Sequence, residues 1–160
     1  MSAAGGAQDG TSRRRAIVAA LAGMLVAAHP WARAQTRSSD PTLPDADWSA
    51  IRRTIDDQRK ALKSGDARKA FSFAAPGIRA QFDTAETFLA MVRNGYGALI
   101  AARYVEFLEG AVIDGAVIQP LRLVAPDNSV LVALYTMEKQ KDGRWRIAGC
   151  VLAPSTVQAA

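Results

Sequence analysis

Histidine and cysteine are nearly missing from this chain. Its 160 residues include one of each, His29 and Cys150. A single cysteine cannot close a disulfide within the chain, and one His with one Cys cannot supply the ligands of a His/Cys zinc centre. Long apolar runs are missing as well. The run from Ala16 to Ala28 spans 13 residues, whereas a membrane-crossing helix needs roughly 18 or more. No low-complexity tract or internal repeat interrupts a globular composition. No basic stripe is interleaved with aromatics, so nucleic acid is not an expected partner.

The N-terminus reads as an export signal. Arg13-Arg14-Arg15 precede the apolar run, His29 and the helix-breaking Pro30 follow it, and Ala32-Arg33-Ala34 has the A-x-A form of a cleavage site. Ser12-Arg13-Arg14-Arg15-Ala16-Ile17 resembles a twin-arginine signal, with Ala16 where a phenylalanine is frequent. Cleavage between Ala34 and Gln35 is expected, giving a periplasmic or secreted protein with no stable membrane anchor. Residues 1–34 carry four of the 20 Lys/Arg and one of the 15 Asp/Glu, so the net charge of +5 falls to +2, 16 basic against 14 acidic. His29 leaves with the signal, which rules Ser-His-Asp and Cys-His catalysis out of the mature chain.

Beyond the signal, residues 35–47 read as a disordered linker rich in Ser, Thr, Pro and Asp. Residues 48–153 form one domain, and residues 154–160 a loose tail. Trp48, Ile51, Ile55, Gln58 and Leu62 recur at helical spacing and predict a first helix from Trp48 to Ser64, with Asp47 as cap, Gly65 as stop and Arg59 off the apolar face. Asp66 caps a short second helix, Ala67 to Ala75, ended by Pro76-Gly77. Asp83 and Glu86 stand as a capping box before a third helix that stops at Asn94-Gly95. Residues 96–102 cross over. Four strands follow: Arg103–Ile113, Ala116–Val124, Val130–Gln140 and Trp145–Leu152. Asp114-Gly115 predicts a two-residue hairpin turn. Pro120, lacking an amide donor, makes the second strand an edge or bulges it.

The last hairpin admits two registers. A two-residue Asp142-Gly143 turn pairs Glu138 with Ile147 and places a carboxylate among core residues, which is costly without a partner. A three-residue Lys141-Asp142-Gly143 loop, with Gly143 left-handed, instead puts Met137 opposite Ile147, Lys139 beside Trp145 and Glu138 opposite Arg146. The second register satisfies both faces and is the one expected. It buries Trp145 and Ile147 and sends Tyr135 inward near Gln58. Cys150 is expected to be a small buried hydrophobe with a raised thiol pKa.

Three helices followed by an antiparallel sheet resemble the nuclear transport factor two-like superfamily. Ile55-Asp-Asp-Gln58, Ala70-Phe-Ser-Phe-Ala-Ala-Pro76, Phe88-Leu-Ala-Met-Val-Arg93, Gly95-Tyr96, Tyr135-Thr-Met-Glu138 and Asp142-Gly-Arg-Trp-Arg-Ile-Ala-Gly-Cys150 resemble, more narrowly, a bacterial domain family of unknown function within it. The resemblance covers about residues 48–153. It implies an α+β fold, three N-terminal helices packed on a curved four-stranded antiparallel sheet that forms a cone with a pocket, and it implies no reaction.

Function is read from that pocket. Phe, Met, Tyr and a few amides suit a small apolar or amphipathic ligand, with Gln58, Tyr96 and Tyr135 as candidate ligand-binding residues and no metal or cofactor. Gln58 reads either as a boundary residue or as a pocket-facing amide, and each tyrosine either as an amphipathic core residue or as a ligand contact. An open sheet also suits a homodimer. The alternative is a metal-free isomerase- or dehydratase-like enzyme with a carboxylate, Glu106, Glu109 or Glu138, beside a tyrosine. No motif assigns those roles, and fold analogy alone does not.

Overall fold

Pro44 starts the first helix earlier than its apolar pattern suggests. In the computed structural model, which describes residues 43–155, α1 (Asp45–Ser64) follows an extended Pro44 and closes on Gly65, whose left-handed φ of 73° lets its amide reach the Ala61 and Leu62 carbonyls. Asp47 is therefore not the cap but a first-turn residue. The expected signal and residues 35–42 of the expected linker lie outside the described residues, as do residues 156–160.

Three expected helices become five helical segments. Asp66 caps α2 (Ala67–Ser72) by accepting from the Lys69 amide at 3.0 Å. Pro76 does more than end that helix. Its fixed φ suits a first turn, and it opens the short α3 (Pro76–Arg79). Before α4 (Ala85–Gly95) the cap is Thr84, not Asp83. Thr84 has extended backbone, and its hydroxyl accepts from the Thr87 amide at 3.1 Å. The expected crossover contains α5 (Gly97–Ala101).

The sheet is antiparallel and open, with strands β1 (Tyr104–Phe107), β2 (Ala111–Ile113), β3 (Ala116–Val124), β4 (Val130–Lys139) and β5 (Trp145–Pro154). The order is β1-β3-β4-β5, with β2 also pairing β3. One expected first strand is thus two, because residues 108–110 leave the ladder. Gly110 stands where any Cβ would fall 2.3 Å from the Trp48 ring, so the chain passes the indole of α1 at backbone distance. Pro120 consequently lies in an interior strand, contrary to expectation. Its carbonyl accepts from the Leu108 amide at 3.1 Å, so its missing donor faces the same interruption.

Both hairpin turns follow their residues. Asp114 and Gly115 have φ of 51° and 79°, the pair of left-handed residues a two-residue turn needs. In the last hairpin Gln140 and Arg144 close the loop, Gly143 has φ of 80°, and Met137 pairs with Ile147, Glu138 with Arg146 and Lys139 with Trp145. A bulge between Thr136 and Met137 re-phases the ladder, so that Tyr135 pairs with Cys150.

The inner face of the sheet packs on α1. Ile51 and Ile55 bury against Leu121, Leu123, Ala133, Tyr135, Met137, Trp145 and Ile147. A second cluster joins Ala61 and Leu62 to Ala70, Phe88, Leu89 and Val92. The segment between α2 and α3 leans on the outer side of β5. The Ile147 amide donates to the Phe73 carbonyl at 2.9 Å, and the Ala75 amide donates to the Ile147 carbonyl at 2.8 Å. No helix among the described residues is long and apolar enough to cross a membrane.

Candidate functional site

The inward row of β4 ends at an unsatisfied group. Alternation along the strand turns Ala133, Tyr135 and Met137 toward α1 and buries all three. Tyr135 is 1% exposed, and its hydroxyl has no hydrogen-bond partner. Buried polar atoms almost always find partners, so an orphaned phenol needs an explanation.

The explanation lies in what stands beside it. A cavity of about 350 Å³ opens between α1, α4 and β5. Gln58 and Leu62 contribute from α1, Phe88, Met91 and Val92 from α4, Phe82 from the turn before α4, and Ile147 to Cys150 from β5. Gln58, Tyr96 and Tyr135, separated widely in sequence, all line it. No Asp, Glu, Lys or Arg is among its lining residues.

The three candidates differ in what they have to spare. Gln58 is buried and donates through Nε2 to the Ala70 carbonyl at 3.2 Å. Its Oε1 accepts from no described residue. The Tyr96 hydroxyl is committed, donating to the Cys150 carbonyl at 2.9 Å. That tie fixes the α4–α5 junction against β5, so Tyr96 is first a brace of the cavity wall. The Tyr135 hydroxyl is buried with no partner in hydrogen-bond geometry, its neighbour being the Cys150 thiol.

Electrostatics keep this end of the cavity neutral. Burial pushes the Tyr135 phenol well above its usual pKa, and the neighbouring Cys150 thiol adds to the rise while the Arg59 charge opposes it. Burial also pushes the Cys150 thiol up to about 12, with the Tyr135 hydroxyl acting the other way. The two groups sense each other, yet the hydroxyl remains without a well-formed hydrogen bond. Cys150 has the expected raised pKa but is partly rather than fully buried, because it faces the cavity.

Arg59, expected off the apolar face of α1, is instead buried. It sits one position after Gln58 and four after Ile55, at the border of the apolar stripe, and it is 6% exposed. Its Nε has no partner, and its Nη1 lies 3.7 Å from Asp56, an ion pair too long for a hydrogen bond. Cys150 joins the lining because the bulge in the last hairpin sets it opposite Tyr135.

The carboxylates of the enzymatic alternative lie elsewhere. Glu106 pairs with Arg122 across β1 and β3. Glu109 is exposed. Glu138 is exposed and stands opposite Arg146, but its carboxylate accepts from Gln140 at 2.9 Å while Arg146 turns to the Trp145 carbonyl. None of the three lines the cavity, so no described carboxylate meets a tyrosine hydroxyl there. A comparison with curated proteins found no match. A family model described as a domain of unknown function, DUF4864, matches residues 44–160, the whole of the helices and sheet just described, and the chain belongs to that family.

Proposed function

We propose that this is an exported binding domain that holds a small amphipathic ligand in the cavity between α1, α4 and β5, within a cone-like arrangement of the nuclear transport factor two-like kind. The observation that carries the reading is the unpartnered Tyr135 hydroxyl beside a mostly apolar cavity. A few placed polar groups in an apolar wall are what ligand pockets present. Gln58 and Tyr135 would contact the ligand, and Tyr96 would hold the wall. No cofactor or metal enters the proposal. Native mass spectrometry of the protein recovered from the periplasm tests it. A co-purifying small molecule that disappears when Phe88 or Met91 on the wall is replaced by Trp supports the reading, and a bare chain that takes up no small molecule from an apolar library defeats it. N-terminal sequencing of the same sample, with Gln35 expected first, tests export and cleavage.

A second reading, association through the sheet, rests on its outward face. Leu134 and Val151 pair in register, and both are exposed, at 39% and 61%. Pro120 and Val132 extend this apolar surface on neighbouring positions. A second copy of the chain is the proposed occupant. The same mass spectra would show a dimer that Val151→Asp dissociates.

A further inference from the structure

The lining of the cavity carries no charge. No Asp, Glu, Lys or Arg is among its residues, and burial keeps the Tyr135 phenol and the Cys150 thiol in their neutral forms. An ionised head group would enter with no counter-charge in the wall, and burying an unpaired charge is costly. Two of the polar side chains in the wall are already committed. The Tyr96 hydroxyl donates to the Cys150 carbonyl, and Gln81 donates through Nε2 to the Gly77 carbonyl at 3.1 Å.

Gln58 is held by one arm of its amide only. Nε2 donates to the Ala70 carbonyl, and Oε1 accepts from no described residue. Among the described residues, the buried side-chain nitrogens and oxygens sealed without a partner are Arg59 Nε and the Tyr135 hydroxyl. Gln58 Oε1 has no partner and is not sealed, so it keeps open surface. On a residue that is 5% exposed and lines the cavity, that surface is the cavity's. An amide oxygen accepts and cannot donate, so it asks for an O–H or N–H. We propose that the cavity takes a neutral amphipathic molecule whose head group donates a hydrogen bond to Gln58 Oε1, its hydrocarbon part lying against Phe82, Phe88 and Met91. The assignment rests on the proposed ligand-binding role of this cavity and adds the class of head group to it.

Isothermal titration calorimetry of the mature chain with 1-octanol, its isomer 1-methoxyheptane and octanoate compares three head groups on similar tails. The alcohol is expected to bind about three- to tenfold more tightly than the ether, the worth of one hydrogen bond. It is expected to bind about tenfold or more tightly than octanoate. Gln58→Met keeps an unbranched side chain and removes the acceptor, and the Ala70 carbonyl retains the Phe73 amide at 3.3 Å. In that variant the alcohol-to-ether ratio is expected to fall to about one, with ether affinity little changed. If Gln58→Met does not fold, the Gln58 side-chain amide resonance of the unmodified chain decides, since it is expected to shift with 1-octanol and not with 1-methoxyheptane. An ether that binds as well as the alcohol, or a preference that survives Gln58→Met, overturns the donor assignment. Octanoate binding as tightly as 1-octanol overturns the neutral head group. Each of these leaves the cavity as a ligand site. Binding of none of the three overturns the assignment and counts against the cavity as well.

Discussion

Tyr135 carries an oxygen that the folded chain does not use. Leaving a buried hydroxyl unsatisfied costs about 1–3 kcal/mol relative to its hydration in the unfolded chain. Tyr135→Phe keeps the ring among Ile51, Ile55 and Met137 and deletes only that oxygen. The variant should therefore match the parent in urea unfolding or exceed it by up to about 1 kcal/mol. A loss of more than that would mean that the hydroxyl has a partner in solution. Tyr135 was legible in the sequence because strand alternation has a period of two, and the correct turn fixes the facing of the β4 residues before it. Arg59 was not. Helical spacing leaves positions at the border of a stripe undecided, and a long side chain can bury its stem from either side.

At the scale of elements, interruptions were harder to read than elements. Arg103–Ile113 has the pattern of a single strand, and nothing local marks residues 108–110 except Gly110. Its reason is remote: the Trp48 ring on α1 occupies the space of a Cβ. Gly110→Ala should force that ring or the strand ends to move, costing roughly 1–3 kcal/mol in chemical denaturation. Gly110→Ala combined with Trp48→Leu should recover much of that loss relative to Trp48→Leu alone. Equal losses in both backgrounds would show that the indole is not what the glycine accommodates. The same remoteness explains Pro120. Its placement inside the sheet is tolerable because the neighbouring strand is broken opposite it, a fact no window around residue 120 contains. The last hairpin was legible because its turn residues and the charge on Glu138 both argue for one register, and the bulge at Thr136/Met137 lies beyond the pairs on which that argument stood.

Across the whole molecule, the two ends of the domain are tied by Asp47. Its carboxylate accepts from the Trp145 indole Nε1 at 2.9 Å and from Lys139 Nζ at 2.9 and 3.1 Å, joining the first turn of α1 to the final hairpin. The hydrogen bond from Lys139 is the larger cause that holds the Asp47 carboxyl below the ordinary value of 3.8, with Trp145 second. A depressed carboxylate pKa adds stability above the unfolded value and loses it as pH falls through the folded one. Asp47→Asn should therefore melt lower than the parent at neutral pH, and the gap between their melting temperatures should close as pH drops below 3.8. A gap that stays constant down to the acid limit would assign the tie to Trp145 alone. Asp47 had looked like a helix cap at the end of a linker, because its partners lie about ninety residues away and leave no trace beside it.

The segment leaning on β5 has a further effect, on how the protein tolerates its own neighbours. A bare outer strand is a template on which another chain can add a strand, the first step toward fibrous aggregates. Here the outward amide and carbonyl of Ile147 are occupied by Phe73 and Ala75, the Cys150 carbonyl is occupied by Tyr96, and the strand ends in Pro154, which has no amide to offer. On the opposite margin the ladder is cut between β1 and β2. Neither margin presents a long continuous row of free backbone groups. Copies that meet at high local concentration are steered away from templated strand addition, and the contact left open to them is the broad side of the sheet.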